Sequence, residues 1–141
     1  MILAIDPGTT QSAYVVYDPG EEQIVAKGIS PNDDVLDVIS AWFPADVAIE
    51  MIASYGMAVG KEVFETCVWI GRFAQVAYNQ GDCPMMIYRK DVKMHLCGTT
   101  KAKDANIRQA LLDLLGKDTT KGVVKDMWAA LGVAVTAASK P

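Results

Sequence analysis

Acidic residues far apart in the sequence are the strongest candidates for chemistry. Asp6 directly follows an apolar run at 1–5, and Glu50 follows another at 47–49. Such runs predict buried strands, and in α/β sheets functional groups gather at the carboxyl ends of strands. Parallel neighbours lie about 4.8 Å apart, so the two carboxylates would converge and repel unless a proton or cation lay between them. Oxygen ligands of this type favour Mg²⁺ or Mn²⁺.

A third acid, Asp126, precedes the last apolar helical pattern. The helix dipole favours negative charge at that position, and packing of the helix on the sheet could bring Asp126 to Asp6 and Glu50. The alternative is structural. Asp6 stands before Pro-Gly as a turn residue would, and Asp126 stands where an N-cap would. The residues alone leave both interpretations open.

The elements that would position these acids are predicted from apolar spacing and turn residues. In chain order they are strands at 1–5, 12–17 and 23–28, a helix at 35–43, a strand at 46–50, a helix at 60–79, a strand at 85–88, and helices at 101–115 and 124–138. Residues 31–34 offer capping chemistry for the first helix, and Thr100 and Gly116 are the predicted caps of the helix at 101–115. Three hairpin strands followed by alternating helices and strands predict a mixed α/β sheet. With 141 residues, the chain is expected to form a single domain over 1–141.

Composition restricts the class of protein. The chain is 51% hydrophobic and 21% charged, which is typical of a globular domain. Asp6 interrupts the apolar N-terminus, so no signal peptide is expected, and no apolar run is long enough for a membrane span. Three widely spaced cysteines, Cys67, Cys83 and Cys97, indicate reduced thiols and a cytoplasmic location.

Charge is distributed unevenly along the chain. Residues 1–66 carry eleven acids and two bases, a net −9, whereas residues 67–141 carry eleven bases and six acids, a net +5. Such an asymmetry is a hint of a polyanion-binding face, although the bases could equally lie on solvated helix faces.

Four segments, in the same order along the chain, resemble motifs of the RuvC-type Holliday-junction resolvases. They are AIDPGTTQS at 4–12, AIE at 48–50, GTTKAKD at 98–104 and DMWAALGVAVT at 126–136. The stretch at 55–73 is similar to a phage-type branch of the group. The resemblance spans nearly the whole chain and implies a ribonuclease-H-like fold, with a mixed five-stranded sheet and helices on both faces.

The resemblance also implies an activity. Its members hydrolyse DNA phosphodiesters with two divalent ions, one activating a water and the other stabilising the leaving oxygen. Asp6 would bridge two Mg²⁺ ions, for which Mn²⁺ may substitute, and Glu50 and Asp126 would each complete one shell. Many relatives have a further acid where this chain has Ala129. We favour three acids with water ligands; a fourth acid, Asp104 or Glu65, and weakened catalysis remain open.

Contacts with DNA are predicted in the basic half of the chain, because backbone phosphates are bound by cations. The basic residues concerned are Lys101, Lys103 and Arg108, clustered with Arg89, Lys90 and Lys93, and Lys125 beside Asp126. Tyr55 follows Glu50 in a predicted loop, where the resemblance implies an aromatic residue that could stack on a base; a packed surface tyrosine is the alternative that the residue alone favours. The helix at 60–79 is apolar on more than one face, which predicts a homodimer suited to paired incisions in a four-way junction.

Other functions compete with junction resolution. A ribonuclease-H-like nuclease acting on structured RNA would use the same acids. A non-catalytic junction-binding module would account for Ala129. The sequence DPGTT at 6–10 also resembles the phosphate loop of actin-like ATPases, but those proteins need two such domains around the nucleotide. Zinc is disfavoured, since His95 and Cys97 have no second pair of ligands.

Overall fold

The computed structural model describes residues 1–141 and contains one five-stranded sheet with five helices. The elements are β1 (Ile2–Asp6), β2 (Gln11–Asp18), β3 (Gln23–Pro31), α1 (Asn32–Ala41), β4 (Asp46–Met51), α2 (Lys61–Asn79), β5 (Met85–Tyr88), α3 (Arg89–Cys97), α4 (Asp104–Thr119) and α5 (Met127–Ala138). No helix is both long and apolar enough to cross a membrane.

The sheet has the strand order β3-β2-β1-β4-β5. The first three strands form an antiparallel meander, and β4 and β5 then add in parallel to β1. The predicted mixed sheet, with three antiparallel strands followed by parallel ones, is therefore confirmed. The parallel pairing of β1 with β4 puts the carboxyl ends of these two strands at the same edge of the sheet.

Both faces of the sheet are covered, because residues along each strand alternate between two hydrophobic cores. Leu3 and Ile5 pack in the core formed with α1 and α2, whereas Ile2 and Ala4 pack in the core formed with α4 and α5. Helix α5 is buried at every position from 130 to 137, as expected of a helix that is apolar all round.

Helix α3 is absent from the sequence prediction. It follows β5 without a loop and packs on α5, where a Cβ added at Gly132 would lie 3.0 Å from Val92. Val92 is the only buried residue of its nine, so the segment has no apolar periodicity to reveal it.

The predicted helix caps are wrong in two places. Helix α4 begins at Asp104, after Thr100, and the Lys103 backbone N–H donates to the Asn106 side chain over 2.9 Å. Residues 31–34 provide no side-chain cap for α1, because the side chain of Asn32 faces the β1–β2 loop. Gly116 does interrupt the predicted helix, with φ of 84°, although a further turn continues to Thr119.

Candidate active site

Asp6 and Glu50 lie side by side at the carboxyl edge of the sheet. The β1–β4 register pairs Ile5 with Ile49, and the two acids are the next residues on each strand. Both continue the alternation of Ala4 and Ala48, so they share the sheet face that α5 covers. Asp6 is half-buried, and the Glu50 side chain is 14% exposed.

Asp126 occupies the N-cap position of α5, without a side-chain capping bond, and lines the same cavity as the other two acids. This cavity has a volume of about 550 Å³. Four acidic residues and three basic residues line it: Asp6, Glu50, Asp104 and Asp126, with Arg89, Arg108 and Lys125. The three predicted acids are thus brought into one cavity.

The electrostatic state of Asp6 shows how closely the acids approach. Burial raises the pKa of Asp6 from 3.8 to about 9, together with a hydrogen bond to Glu50 and the negative charges of Glu50 and Asp126. The raised pKa means that the protonated form of Asp6 is favoured beside the other acids. Arg89 opposes the rise. A cation placed between the carboxylates would displace the proton and relieve the same repulsion.

The donors fit a hard divalent cation by their chemistry. They are carboxylate oxygens at the edge of an open cavity, and no cysteine or histidine joins them. The side chains do not form a ready-made cage, since no group of three or more acidic, histidine or cysteine side chains meets around one point. Glu50 is instead paired with Arg89. Asp6, Glu50 and Asp126 are the residues that would hold Mg²⁺ or Mn²⁺.

Arg89 is a residue of this cavity whose ion pairs the sequence analysis did not predict. Its Nη1 lies 3.3 Å from Glu50 Oε1, and its Nη2 contacts the carboxylate of Asp104. The sequence analysis grouped Arg89 with the basic residues expected near DNA, and in the structure it lines the cavity that also contains the acids. The position of Arg89 in the sequence could have indicated its place in the site. Arg89 directly follows β5, in the same way that Asp6 ends β1 and Glu50 lies near the end of β4.

The other predicted DNA contacts differ in their distance from the acids. Arg108 and Lys125 line the cavity, and the Arg108 guanidinium carbon lies 4.9 Å from the centre of the Trp128 ring. Lys101 and Lys103 are exposed in the segment just before α4 and do not line it. Tyr55 is 64% exposed in the loop between β4 and α2, with φ of 51°.

The two candidates for a fourth acid are separated by the structure. Asp104 lines the cavity, whereas Glu65 lies on α2 and pairs with Lys61 at 3.6 Å. Ala129 also lines the cavity, one helical turn after Asp126. Its methyl group leaves space where a longer acidic side chain could reach.

A buried polar network fixes the loop that follows Asp6. The Gly8 backbone N–H donates to Ser12 Oγ over 3.1 Å, and the Asn32 side-chain amide donates to the Gly8 carbonyl over 3.0 Å. Ser12 Oγ donates to Asn32 Oδ1 over 2.5 Å, and both side chains are 2% exposed. A Cβ at Gly8 would collide with the Gln11 carbonyl oxygen. The network couples the first turn of α1 to the loop after Asp6.

Comparison with known proteins gives matches at the level of structure. No protein-family model matches the sequence, and no curated protein matches it. The fold superposes on a structure of Thermus thermophilus RuvC with a TM-score of 0.75 and 18% identity, covering 96% of this chain and 91% of that one. A structure of T. thermophilus RuvC in complex with a Holliday junction substrate gives a TM-score of 0.74 and 19% identity, covering 96% and 90%. The chain therefore has the fold of RuvC, and the predicted ribonuclease-H-like architecture is confirmed.

Proposed function

We propose that residues 1–141 form a single nuclease domain that resolves Holliday junctions or related branched DNA. The observation that carries the proposal is the convergence of Asp6, Glu50 and Asp126 in one cavity with cationic side chains at its wall. Metal-dependent phosphodiester hydrolysis uses this combination, because acids hold a Lewis acid while cations attract the polyanionic substrate. The shared fold with RuvC adds support at the level of architecture.

The residues of the cavity would have different roles in hydrolysis. Bound Mg²⁺ ions would supply Lewis-acid chemistry, lowering the pKa of water and stabilising charge at the phosphate. Asp6, Glu50 and Asp126 would hold these ions. The Ser12–Asn32 network keeps the loop after Asp6 in place. Arg108 and Lys125 bring positive charge to the cavity wall, where a DNA backbone would pass.

The more distant cations would extend the DNA path. Lys101 and Lys103 are exposed immediately before the cavity residue Asp104, so a strand leaving the cavity in that direction would meet them. Tyr55 is exposed on a loop that begins after β4, the strand that carries Glu50. Its ring is available to stack on an unpaired base at a branch point.

The exposed face of α2 supports the proposal of a homodimer. Phe64 is 62%, Val68 63% and Tyr78 53% exposed. Their spacing puts these side chains on one face, opposite the residues that pack on the sheet. A second copy would cover them, and two-fold symmetry would present two active sites to a four-way junction.

The decisive experiment is a nuclease assay on a synthetic mobile four-way junction with Mg²⁺, Mn²⁺ or EDTA. We expect paired nicks on strands of like polarity that disappear with the chelator. Asp6→Asn should abolish cleavage while retaining junction binding, which separates chemistry from recognition. Duplex RNA serves as the competing substrate, and preferential cleavage of that RNA would contradict junction resolution.

Ala129 favours one second candidate, a junction-binding module without catalytic activity. It stands in the cavity where many relatives of the RuvC type would have a further acid. Tight binding of the junction with no nicks in either metal, under conditions where the protein is folded, would favour this candidate.

A further inference from the structure

Arg89 has an unusual position among the cations of the cavity. It is the only one in an ion pair with acids, joining Glu50 on one side and Asp104 on the other. Arg108 lies on the Trp128 ring, and no ion pair involves Lys125. A permanently charged guanidinium thus lies on one of the carboxylates needed for metal binding.

The contact between Arg89 and Glu50 opposes metal binding in two ways. Arg89 Nη1 donates to Glu50 Oε1 over 3.3 Å, so the guanidinium occupies part of the space around that oxygen and competes with a cation for it. The positive charge of Arg89 also repels any ion approaching the acids. The pair with Asp104 contributes little to stability, because the Asp104 side chain is 82% exposed.

The guanidinium also has the chemistry to bind the substrate. Its five N–H donors match the oxygens of a phosphate, and the Arg89 side chain lines the cavity and is 38% exposed. The partner Asp104 is exposed enough to release it at small cost. Arg89 can therefore bind either of two sets of oxygens, the carboxylates of the protein or the phosphates of the proposed DNA substrate.

We propose that Arg89 is a phosphate-binding residue that stays paired with Glu50 and Asp104 until metal and DNA bind. In the DNA-free protein Arg89 neutralises these acids; it releases Glu50 for metal binding and then donates to a DNA phosphate at the cavity. This inference rests on the proposed nuclease function for its second half. Its first half, the competition for Glu50, concerns the protein and the metal alone.

The first test is a Mn²⁺ titration of the DNA-free protein, following the signal of free Mn²⁺ by electron paramagnetic resonance. Arg89→Ala should bind Mn²⁺ about tenfold more tightly than wild type. The substitution removes a partly screened positive charge and also removes the group that competes with Mn²⁺ for Glu50. Arg89→Lys should fall between them. Lys90→Ala is the matched control: it removes one charge from the neighbouring residue, which does not line the cavity, and should leave the affinity unchanged. Unchanged or weaker binding by Arg89→Ala would overturn the competition.

The second test measures binding of a synthetic four-way junction in Ca²⁺ across a series of salt concentrations. Arg89→Ala should bind about tenfold more weakly, and its slope of log K against log salt should fall by about 0.9, the value for one lost phosphate contact. Thermal melts followed by circular dichroism establish folding, and Arg89→Gln replaces Arg89→Ala if the alanine variant is unfolded. Junction affinity and slope equal to those of wild type would overturn the phosphate role.

The two proposals fail in different ways. A wild-type protein that binds Mn²⁺ but no junction would refute the nuclease function together with the phosphate role, while the Mn²⁺ comparison would still decide the competition for Glu50. A wild type that cleaves junctions, with Arg89→Ala unchanged in both titrations, would refute the role of Arg89 alone.

Discussion

Asp6 is held beside Glu50, within reach of the charge of Asp126, and its pKa rises from 3.8 to about 9, chiefly through burial. Between these two pH values the folded protein keeps a proton that the unfolded chain releases. The free energy of unfolding therefore falls as pH rises through this window, as linkage requires for an acid with a raised pKa. Asp6, a proposed metal ligand, thus destabilises the metal-free fold at neutral pH.

We expect Asp6→Asn to stabilise the metal-free protein while it abolishes cleavage. The amide cannot ionise and can donate to Glu50, so the gain should be roughly 1–3 kcal/mol at pH 7 and should shrink toward pH 4. Urea unfolding at several pH values in EDTA measures it. Added Mg²⁺ should reverse the order by stabilising wild type more than the variant. Wild-type stability that rises steadily from pH 5 to pH 8 in EDTA would contradict the prediction.

Ala129 offers a gain-of-function test at the same scale. An acid one turn after Asp126 would add a fourth carboxylate at the cavity wall. Ala129→Asp should tighten Mn²⁺ binding severalfold and lower metal-free stability by about 1 kcal/mol through added repulsion. Isothermal titration calorimetry measures the affinity, and Ala138→Asp, at the exposed end of α5, is the control. No change in affinity would mean that the wall at Ala129 does not face the bound ions.

At the scale of elements, the strands could be predicted closely because burial leaves a strong pattern. β4 and β5 were expected at 46–50 and 85–88 and are observed at Asp46–Met51 and Met85–Tyr88. Both are short apolar runs between turn residues, as expected of parallel strands covered on both faces. The convergence of Asp6 and Glu50 at one sheet edge follows from the parallel pairing of β1 and β4, which the strand order alone made a good hypothesis.

The parts that could not be predicted depend on tertiary contacts. Helix α3 buries only Val92, so its sequence contains no periodic signal. The ion pairs of Arg89 could not be predicted from its basic neighbours Lys90 and Lys93, because Glu50 and Asp104 come from other elements. The entry of Asp126 into the cavity required knowledge of how α5 packs, which the resemblance to RuvC-type resolvases supplied and periodicity did not.

Asn32 tests the coupling between α1 and the loop after Asp6. Its side chain is buried and bonded to Ser12 and Gly8, so Asn32→Ala leaves partners unsatisfied and should cost about 1–3 kcal/mol. We expect kcat for junction cleavage to fall roughly tenfold to a hundredfold with little change in KM, because the loop misplaces Asp6 without touching DNA. Asn79→Ala, at the exposed end of α2, is the control. Equal loss in kcat and in junction affinity would argue against a positioning role.

At the scale of the whole molecule, the fold brings the two oppositely charged halves of the chain together. Asp6 and Glu50 come from the acidic half, net −9, whereas Arg108 and Lys125 come from the basic half, net +5. The cavity forms where α4 and α5 pack over the carboxyl ends of β1 and β4. A net charge of −4 is therefore compatible with a polyanionic partner, because cations of the basic half lie at the wall of the cavity that contains the acids.

The exposed face of α2 leads to a prediction about the proposed homodimer. Val68, 63% exposed between Phe64 and Tyr78, would lie inside the proposed dimer interface, where a charge could not be solvated. Val68→Glu should sediment as a monomer at micromolar concentration, while its melting temperature changes little because the side chain makes no core contact. On a four-way junction it should give single, uncoordinated nicks in place of paired ones. Met94→Glu, 51% exposed on α3, carries the same kind of charge away from this face and should remain dimeric. A wild-type protein that is monomeric, or a Val68→Glu variant that still dimerises and cuts in pairs, would show that α2 is not the interface.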